Sequence, residues 1–310
     1  MSKFLRAIVA VGLAFGAGLV GLGLLANWYP ALDILNNGLP FLAAGALALL
    51  ALAFATRGRA LICTSAILLA VSLALLLTGL PGRAPDASEG SVRFLRVATF
   101  NLWGKNGQAD TVLKFVDETG ADVLVLQEVR GQHAAFLDAL GATYPHRAGG
   151  GTIVILSKHP ILADGRIDRE GYPPWISLLV RWVRLDVDGR EIDLAGVHLA
   201  RPFYPELQNA DIVNLAAFAL SRPGHLILAG DFNMTPWTWQ LKKFTRATKL
   251  GRFNTFCPTW PMRWRDLPLV PLFPIDNVFA SRHFASLGVT VGPRLGSDHR
   301  PVIADIALID

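Results

Sequence analysis

The chain has 310 residues, 52% of them hydrophobic and 17% charged, with a formal net charge of +5 and two cysteines. A positive balance suits any anionic partner, nucleic acid or lipid head group alike, and selects neither; two cysteines exclude a framework of several disulfides. The averages also conceal two unlike parts, because the chain is almost free of charge up to about residue 80 and alternates apolar and charged residues after it.

No charged residue occurs from Ala7 to Leu32, from Ile34 to Thr56 or from Ala60 to Gly82. Each window supplies roughly 17 to 21 apolar residues, enough to cross about 30 Å of hydrocarbon. Three transmembrane α-helices are therefore expected, at about 7–26, 39–55 and 60–80, making residues 1–80 a membrane domain. The first stretch also has the basic start of a signal peptide, but it is longer than a usual signal core and two further apolar segments follow, so a retained anchor is expected.

Lys3 and Arg6 precede the first span, and Arg57 and Arg59 lie between the second and third, whereas the loop 27–38 carries only Asp33. The positive-inside rule places the N-terminus and the Arg57 loop in the cytoplasm. Three crossings then carry everything after Leu80 to the far side, which is periplasmic for a multi-pass protein of a bacterial-type inner membrane. Residues 81–91, PGRAPDASEGS, have linker composition. Cys63 falls in the third span and Cys257 in the distal domain, so no disulfide is expected.

Residues 92–310 are enough for one substantial domain. In chain order the apolar patterns read as a strand at 92–100, a helix at 110–118, a buried strand at 123–126, a helix at 132–140 and a strand at 152–156. Strands at 176–186 and 191–198 follow, joined by Asp188-Gly189 as a hairpin turn. A helix near 206–220 precedes strands at 225–229, 275–280 and 302–307. Hairpins mixed with helical crossovers imply an α/β (α+β) four-layer sandwich, two mixed β-sheets packed face to face with helices outside.

Polar residues cluster where these strands end. Glu128 follows Val-Leu-Val-Leu-Gln, and a carboxylate at the end of a strand buried on both faces is costly unless it is paired or holds a cation. Oxygen donors suit a hard cation such as Mg²⁺ or Mn²⁺, and Asn101 at the end of the first soluble strand is the natural amide partner. In Gly230-Asp231-Phe232-Asn233, Asp231 and Asn233 share one face if the chain stays extended. They then suit orientation of an attacking water and binding of a phosphoryl oxygen, although Gly, Asp and Asn also make ordinary turns. Ser297-Asp298-His299 sets an imidazole beside a carboxylate, with Asp276 able to orient it from the other nitrogen; a surface Asp-His pair is the plainer reading.

Taken in order, Phe100-Asn101, Gln127-Glu128, GTIVILSK at 151–158, Val197-His198-Leu199, GDFN at 230–233, IDNVFAS at 275–281 and GSDHRP at 296–301 resemble the motifs of the endonuclease/exonuclease/phosphatase superfamily. Its members include deoxyribonucleases of the pancreatic type, abasic-site endonucleases, inositol polyphosphate 5-phosphatases and bacterial sphingomyelinases. The resemblance runs from about Val92 to the C-terminus. It implies that Glu128 is the principal metal ligand, with Asn101 beside it and Asp298 completing the metal environment. It further implies that Asp231 positions or deprotonates the water, Asn233 contacts the scissile phosphate, His198 lies against it, and His299, oriented by Asp276, stabilises the transition state. The reaction implied is in-line attack of water on phosphorus with Mg²⁺ or Mn²⁺.

The expected function is thus a membrane-anchored Mg²⁺-dependent phosphoester hydrolase, a phosphodiesterase, nuclease or phospholipid hydrolase. Phe256, Trp260, Trp264 and Phe273, interleaved with Arg263 and Arg265, suit stacked bases or a lipid interface, or simply pack a long loop. The alternative from another class is a catalytically idle, membrane-anchored binding domain. Where the family often carries Arg-x-x-Gln after the histidine, Leu207 here precedes Gln208, a departure that bears on substrate contacts.

Overall fold

The computed structural model describes residues 2–80, 82–172, 178–254, 256–264 and 267–309. The chain divides into two compact units: Met1–Pro81 with Arg201–Asn209 and Met234–Lys243, and Gly82–Ala200 with Ala210–Asn233 and Phe244–Asp310.

The first unit is built on helices α1 (Ser2–Leu25), α2 (Leu39–Thr56) and α3 (Arg59–Leu77). With a short 3₁₀ helix at Pro30–Gly38 leading into α2, they form three segments long and apolar enough to cross a membrane by length and composition. Proline helps set both starts, as Pro30 and Pro40 occupy first-turn positions where a missing N–H costs nothing. Val20, Ala46 and Leu68 form the small contact core of the three helices.

The second unit carries helices α4 (Ala109–Thr119) and α5 (Ala134–Ala139), most of α6 (Pro205–Leu220) and the second half of α7 (Trp239–Thr248). Its strands are β1 (Leu95–Asn101), β2 (Val123–Gln127), β3 (His146–Ala148), β4 (Ile153–Ser157), β5 (Ile161–Asp168), β6 (Leu178–Val187) and β7 (Arg190–His198). They continue as β8 (Leu226–Asp231), β9 (Gly251–Arg252), β10 (Arg263–Trp264), β11 (Leu267–Pro268), β12 (Asp276–Ala280), β13 (Phe284–Val291) and β14 (Val302–Leu308). Two six-stranded sheets result, in the orders β13-β14-β1-β2-β4-β3 and β5-β6-β7-β8-β12-β9, with β10 and β11 as a separate hairpin. Both sheets are mixed: β1–β2 and β7–β8 are parallel, each pair bridged by a helix, and their other pairs are antiparallel.

Alternation along the strands creates the layers. Val97, Val123, Val125, Ile155, Val302 and Ala304 of one sheet meet Val183, Leu185, Leu194, Ile227 and Val278 of the other in one buried core. The opposite face of the first sheet, through Ala98, Phe100, Leu124 and Leu126, packs on Val112, Phe115 and Val116 of α4 and Phe136 and Leu137 of α5. On the outer side of the second sheet Phe244 of α7 meets Phe279 edge to face at 5.6 Å, and Phe232 lies 5.0 Å from Phe279. The expected four-layer sandwich is therefore the observed one.

Seven of these elements have no counterpart in the sequence reading: the edge strands β3, β5, β9 and β13, the hairpin strands β10 and β11, and helix α7. Strand β5 is exposed along most of its length and lacks a buried stripe to announce it. The segment of linker composition is hydrogen-bonded along the sheet edges, with Ala84 N–H donating to Arg252 O at 2.8 Å and Ala87 N–H to Ser286 O at 2.8 Å. The start of the strand expected at 176–186 lies outside the described residues; the rest is β6.

Candidate active site

Sheet register gathers the polar strand ends at one edge of the sandwich. Asn101 pairs with Gln127 at the ends of β1 and β2, His198 with Asp231 at the ends of β7 and β8, and Asp276 with Asp231 at the start of β12. Two residues after or within these motifs take left-handed backbone conformations, Glu128 with φ 53° and Asn233 with φ 50°, each at a cost of about 1–2 kcal/mol. Such turns stop the strands and aim the side chains inward. Gly230 is required for a different reason: a Cβ there would lie 2.0 Å from the Val197 carbonyl oxygen.

Asp231 is the hub. It is buried, 1% exposed, and its Oδ2 lies 3.1 Å from Asn101 Nδ2, 3.2 Å from Asn233 Nδ2, 3.8 Å from His198 Nε2 and 3.7 Å from His299 Nε2. Its Oδ1 accepts the Asn233 N–H at 2.8 Å, while Asn233 Nδ2 also donates to Leu199 O at 2.9 Å. His299 Nδ1 is 2.8 Å from Asp276 Oδ2, which the Thr259 hydroxyl also reaches. Among the described residues Asp231, Asp276 and His299 bring their ligand-type atoms within 4.8 Å of one another.

Glu128 closes the other side. Its Oε1 accepts from Asn101 Nδ2 at 3.4 Å and lies 3.9 Å from His198 Nε2, and its Oε2 accepts the Gly104 N–H at 3.1 Å. Asp298 Oδ2 accepts from Trp260 Nε1 at 3.4 Å, and the Trp260 ring stands 6.5 Å from that of His299. All eight residues singled out from the sequence, Asn101, Glu128, His198, Asp231, Asn233, Asp276, Asp298 and His299, thus belong to one connected constellation.

Burial raises the Asp231 carboxyl strongly; the positive His299 opposes this and the Asp276 carboxylate adds to it, leaving it at about 7. Burial alone would lower His299, but Asp276, Asp231 and Asp298 outweigh it and hold the imidazole protonated up to about 10. A protonated imidazole is a donor at both nitrogens and cannot bind a cation through either. The Asp231, Asp276 and His299 group is therefore better suited to proton handling than to holding a metal.

Supporting residues were missed by sequence reading. Thr259, in a Pro- and Trp-rich stretch with no strand pattern, bonds Asp276, while Trp260, expected only as an aromatic of the site mouth, instead contacts Asp298 and His299. Arg169 spans the buried Asp211 carboxylate through two bonds of 2.9 and 2.8 Å and donates to His198 O at 2.8 Å. Asp211 also accepts the Ala200 N–H at 2.7 Å, so the pair clasps the backbone on both sides of Leu199. Of the aromatic and basic loop expected at a site mouth, Phe256 is exposed and Arg263 stacks on Trp103 at 4.7 Å, while Arg265 lies outside the described residues.

No curated protein matches the chain by sequence. Solved structures do share its fold. Truncated TDP2 from Caenorhabditis elegans is 17% identical with a TM-score of 0.56, the match covering 69% of this chain and 97% of that one. Beta toxin from Staphylococcus aureus, crystallised as a double mutant with bound magnesium ions, is 14% identical with a TM-score of 0.57 over 68% of this chain and 99% of the toxin. A mannosyl-6-phosphatase from Bacteroides thetaiotaomicron is 17% identical with a TM-score of 0.55 over 69% of this chain and all of that one, 100%. Residues 98–299 match the model of the Endonuclease/Exonuclease/phosphatase family, a span running from just before Asn101 to His299 itself. The protein is therefore an enzyme of the metal-dependent phosphoester-hydrolase type, and the chain belongs to the endonuclease/exonuclease/phosphatase family.

Proposed function

We propose that the protein is a membrane-anchored, Mg²⁺-dependent hydrolase that cleaves a phosphoester by direct attack of water. The observation that carries this reading is the Asp231 carboxylate, buried and encircled by Asn101, Asn233, His198 and His299. A carboxylate raised to about 7 accepts a proton from water near neutrality.

The other residues divide the work around it. Asn233 and His198 hold the phosphoryl oxygens, and His299, kept cationic by Asp276, donates to the oxygen on which charge grows. Glu128, Asn101 and Asp298 are the residues that would hold the cation. The fit is supported by Asp298 Oδ1, a buried oxygen with no hydrogen-bond partner, and by a donor set made of oxygens, which favours a hard divalent ion. When bound, that ion polarises the phosphoryl oxygen and offsets negative charge in the transition state.

Residues 1–80 form the anchor in this reading, 81–91 the connection and 92–310 the catalytic domain. The Lys3, Arg6, Arg57 and Arg59 bias supports a catalytic domain outside the cytoplasm, in the periplasm of a bacterial-type cell. Between nucleic acid and phospholipid head group, one observation favours the lipid. Phe256, Leu267, Val270 and Leu272 are 60%, 68%, 71% and 48% exposed in the same stretch that carries Trp260, an apolar surface suited to a bilayer interface.

The test is hydrolysis by the full-length protein in nanodiscs, offered phospholipid, DNA, RNA and a small phosphodiester, with Mg²⁺ or with EDTA. EDTA-sensitive turnover, greatest on phospholipid and abolished in Glu128→Ala, is expected. Absence of turnover on every substrate would return the protein to the idle binding domain, and cleavage of DNA or RNA alone would make it a nuclease.

A further inference from the structure

Helix α7 starts shortly after Asn233, and its first turn has an unusual cap. Thr238 stands at the N-cap position, where a threonine hydroxyl ordinarily accepts a backbone N–H of the first turn. Here the hydroxyl is spent elsewhere, donating to Thr235 O at 2.9 Å. The N–H groups of Trp239 and Gln240 instead reach the carboxylate of Asp33, at 2.9 Å to Oδ1 and 2.9 Å to Oδ2. Asp33 lies in the 3₁₀ segment Pro30–Gly38 between α1 and α2, about two hundred residues earlier in the chain. One carboxylate thus satisfies two of the orphan donors of a distant helix and adds negative charge at the positive end of its dipole.

The contact is built rather than incidental. Asp33 is only 4% exposed, and Asn36 fixes it by donating to Oδ1 at 2.8 Å while also donating to Gly23 O at 3.0 Å. Gly23 in turn accepts the Trp239 indole N–H at 3.1 Å, and a Cβ at Gly23 would come within 2.7 Å of Asn36 Oδ1. Asn37 holds the turn before the helix, its Oδ1 accepting the Thr235 N–H at 3.2 Å and the Thr235 hydroxyl at 2.9 Å. These residues all belong to the first compact unit, which includes Met234–Lys243. Met234 is bonded to Asn233, the residue whose backbone and side-chain N–H groups grip Asp231.

We propose that Asp33 and Asn37 are positioning residues for catalysis, holding from the loop between the first two apolar helices the chain that emerges from Asp231-Phe232-Asn233. The claim about turnover rests on the phosphoester-hydrolase reading above. The claim about the cap does not. Two consequences follow. The loop at 30–38 and the segment 234–243 lie on one face of the membrane, and the apolar unit holds the segment that follows Asn233 rather than serving as a tether alone. A burial-only role for Asp33 would lower stability without singling out the 234–243 backbone or kcat.

The experiment uses full-length protein in nanodiscs and compares wild type with Asp33→Asn, Asp33→Ala and Asn37→Ala. Hydrogen exchange at 234–243 is expected to be at least tenfold faster in Asp33→Ala and Asn37→Ala. Asp33→Asn, which keeps one acceptor oxygen, should fall between them and wild type. On a small phosphodiester, kcat should drop about tenfold in Asp33→Ala with KM within about twofold, because the reacting groups and not the binding surface have lost their support. Asp33→Asn and Asn37→Ala carry the test if Asp33→Ala does not fold. Unchanged exchange at 234–243 in both of these, or faster exchange spread evenly over the whole chain, would overturn the proposal. A wild type without turnover would sink the hydrolase reading, while exchange would still decide the cap.

Discussion

His299 Nδ1 meets Asp276 Oδ2 at 2.8 Å, with the two side chains 5% and 1% exposed. Buried this deeply, the pair is an imidazolium held by a carboxylate. The same imidazole turns its Nε2 toward Asp231 at 3.7 Å, so one ring links the Asp276 carboxylate to the Asp231 carboxyl group.

That linkage sets the pH response. In the proposed mechanism Asp231 acts ionised, so kcat/KM should rise with pH through about 7, and His299 acts protonated, so it should fall through about 10. In Asp276→Asn the carboxylate that raises both groups is gone, and both limbs should move to lower pH while kcat falls about 10²- to 10⁴-fold. A pH–rate profile of the variant whose limbs stay in place would refute the assigned roles.

Metal binding has a signature apart from turnover. Mg²⁺ that binds the folded state alone should add about 2.7 kcal/mol of stability at a hundredfold excess over its Kd. The resulting rise in melting temperature should disappear in Glu128→Gln and persist in Asn37→Ala. Equal rises in all three proteins would place the cation elsewhere.

The Arg169–Asp211 pair supports His198 through the backbone. Its side chains are 9% and 1% exposed, so Arg169→Ala strands a buried carboxylate and should cost about 3–5 kcal/mol. Replacing both partners by apolar residues, Arg169→Met with Asp211→Leu, should recover most of that stability. It should not recover activity, because the His198 carbonyl and the Ala200 N–H remain without their clasp. Denaturation and turnover measured on both proteins separate the two effects, and recovery of both together would show the clasp to be dispensable.

Local pattern determined a great deal. Short continuous apolar runs such as Val123–Leu126 and Leu226–Ala229, bounded by polar and turn residues, read as buried strands, and a carboxylate or amide that follows one emerges at a sheet end. Asn101, Glu128, His198 and Asp231 are legible for that reason. The three uncharged segments are legible because nothing except length and apolarity is needed to recognise them. Strand β5 and helix α7 were not legible: one has no buried face, and the other takes its start signal from Asp33, which no window around Trp239 contains.

What only the tertiary structure decided is which groups share a space. His299 and Asp276 come from different elements, Thr259 and Trp260 from a stretch with no periodicity, and Arg169 reaches Asp211 across a gap that sequence spacing cannot reveal. The charge states depend on the same thing. A carboxylate lifted to about 7 and an imidazole lifted to about 10 are products of burial and neighbours, and both are set by sheet register and loop packing. Residue identity supplied the acids, amides and imidazoles; long-range packing raised the Asp231 carboxyl and made His299 a cation.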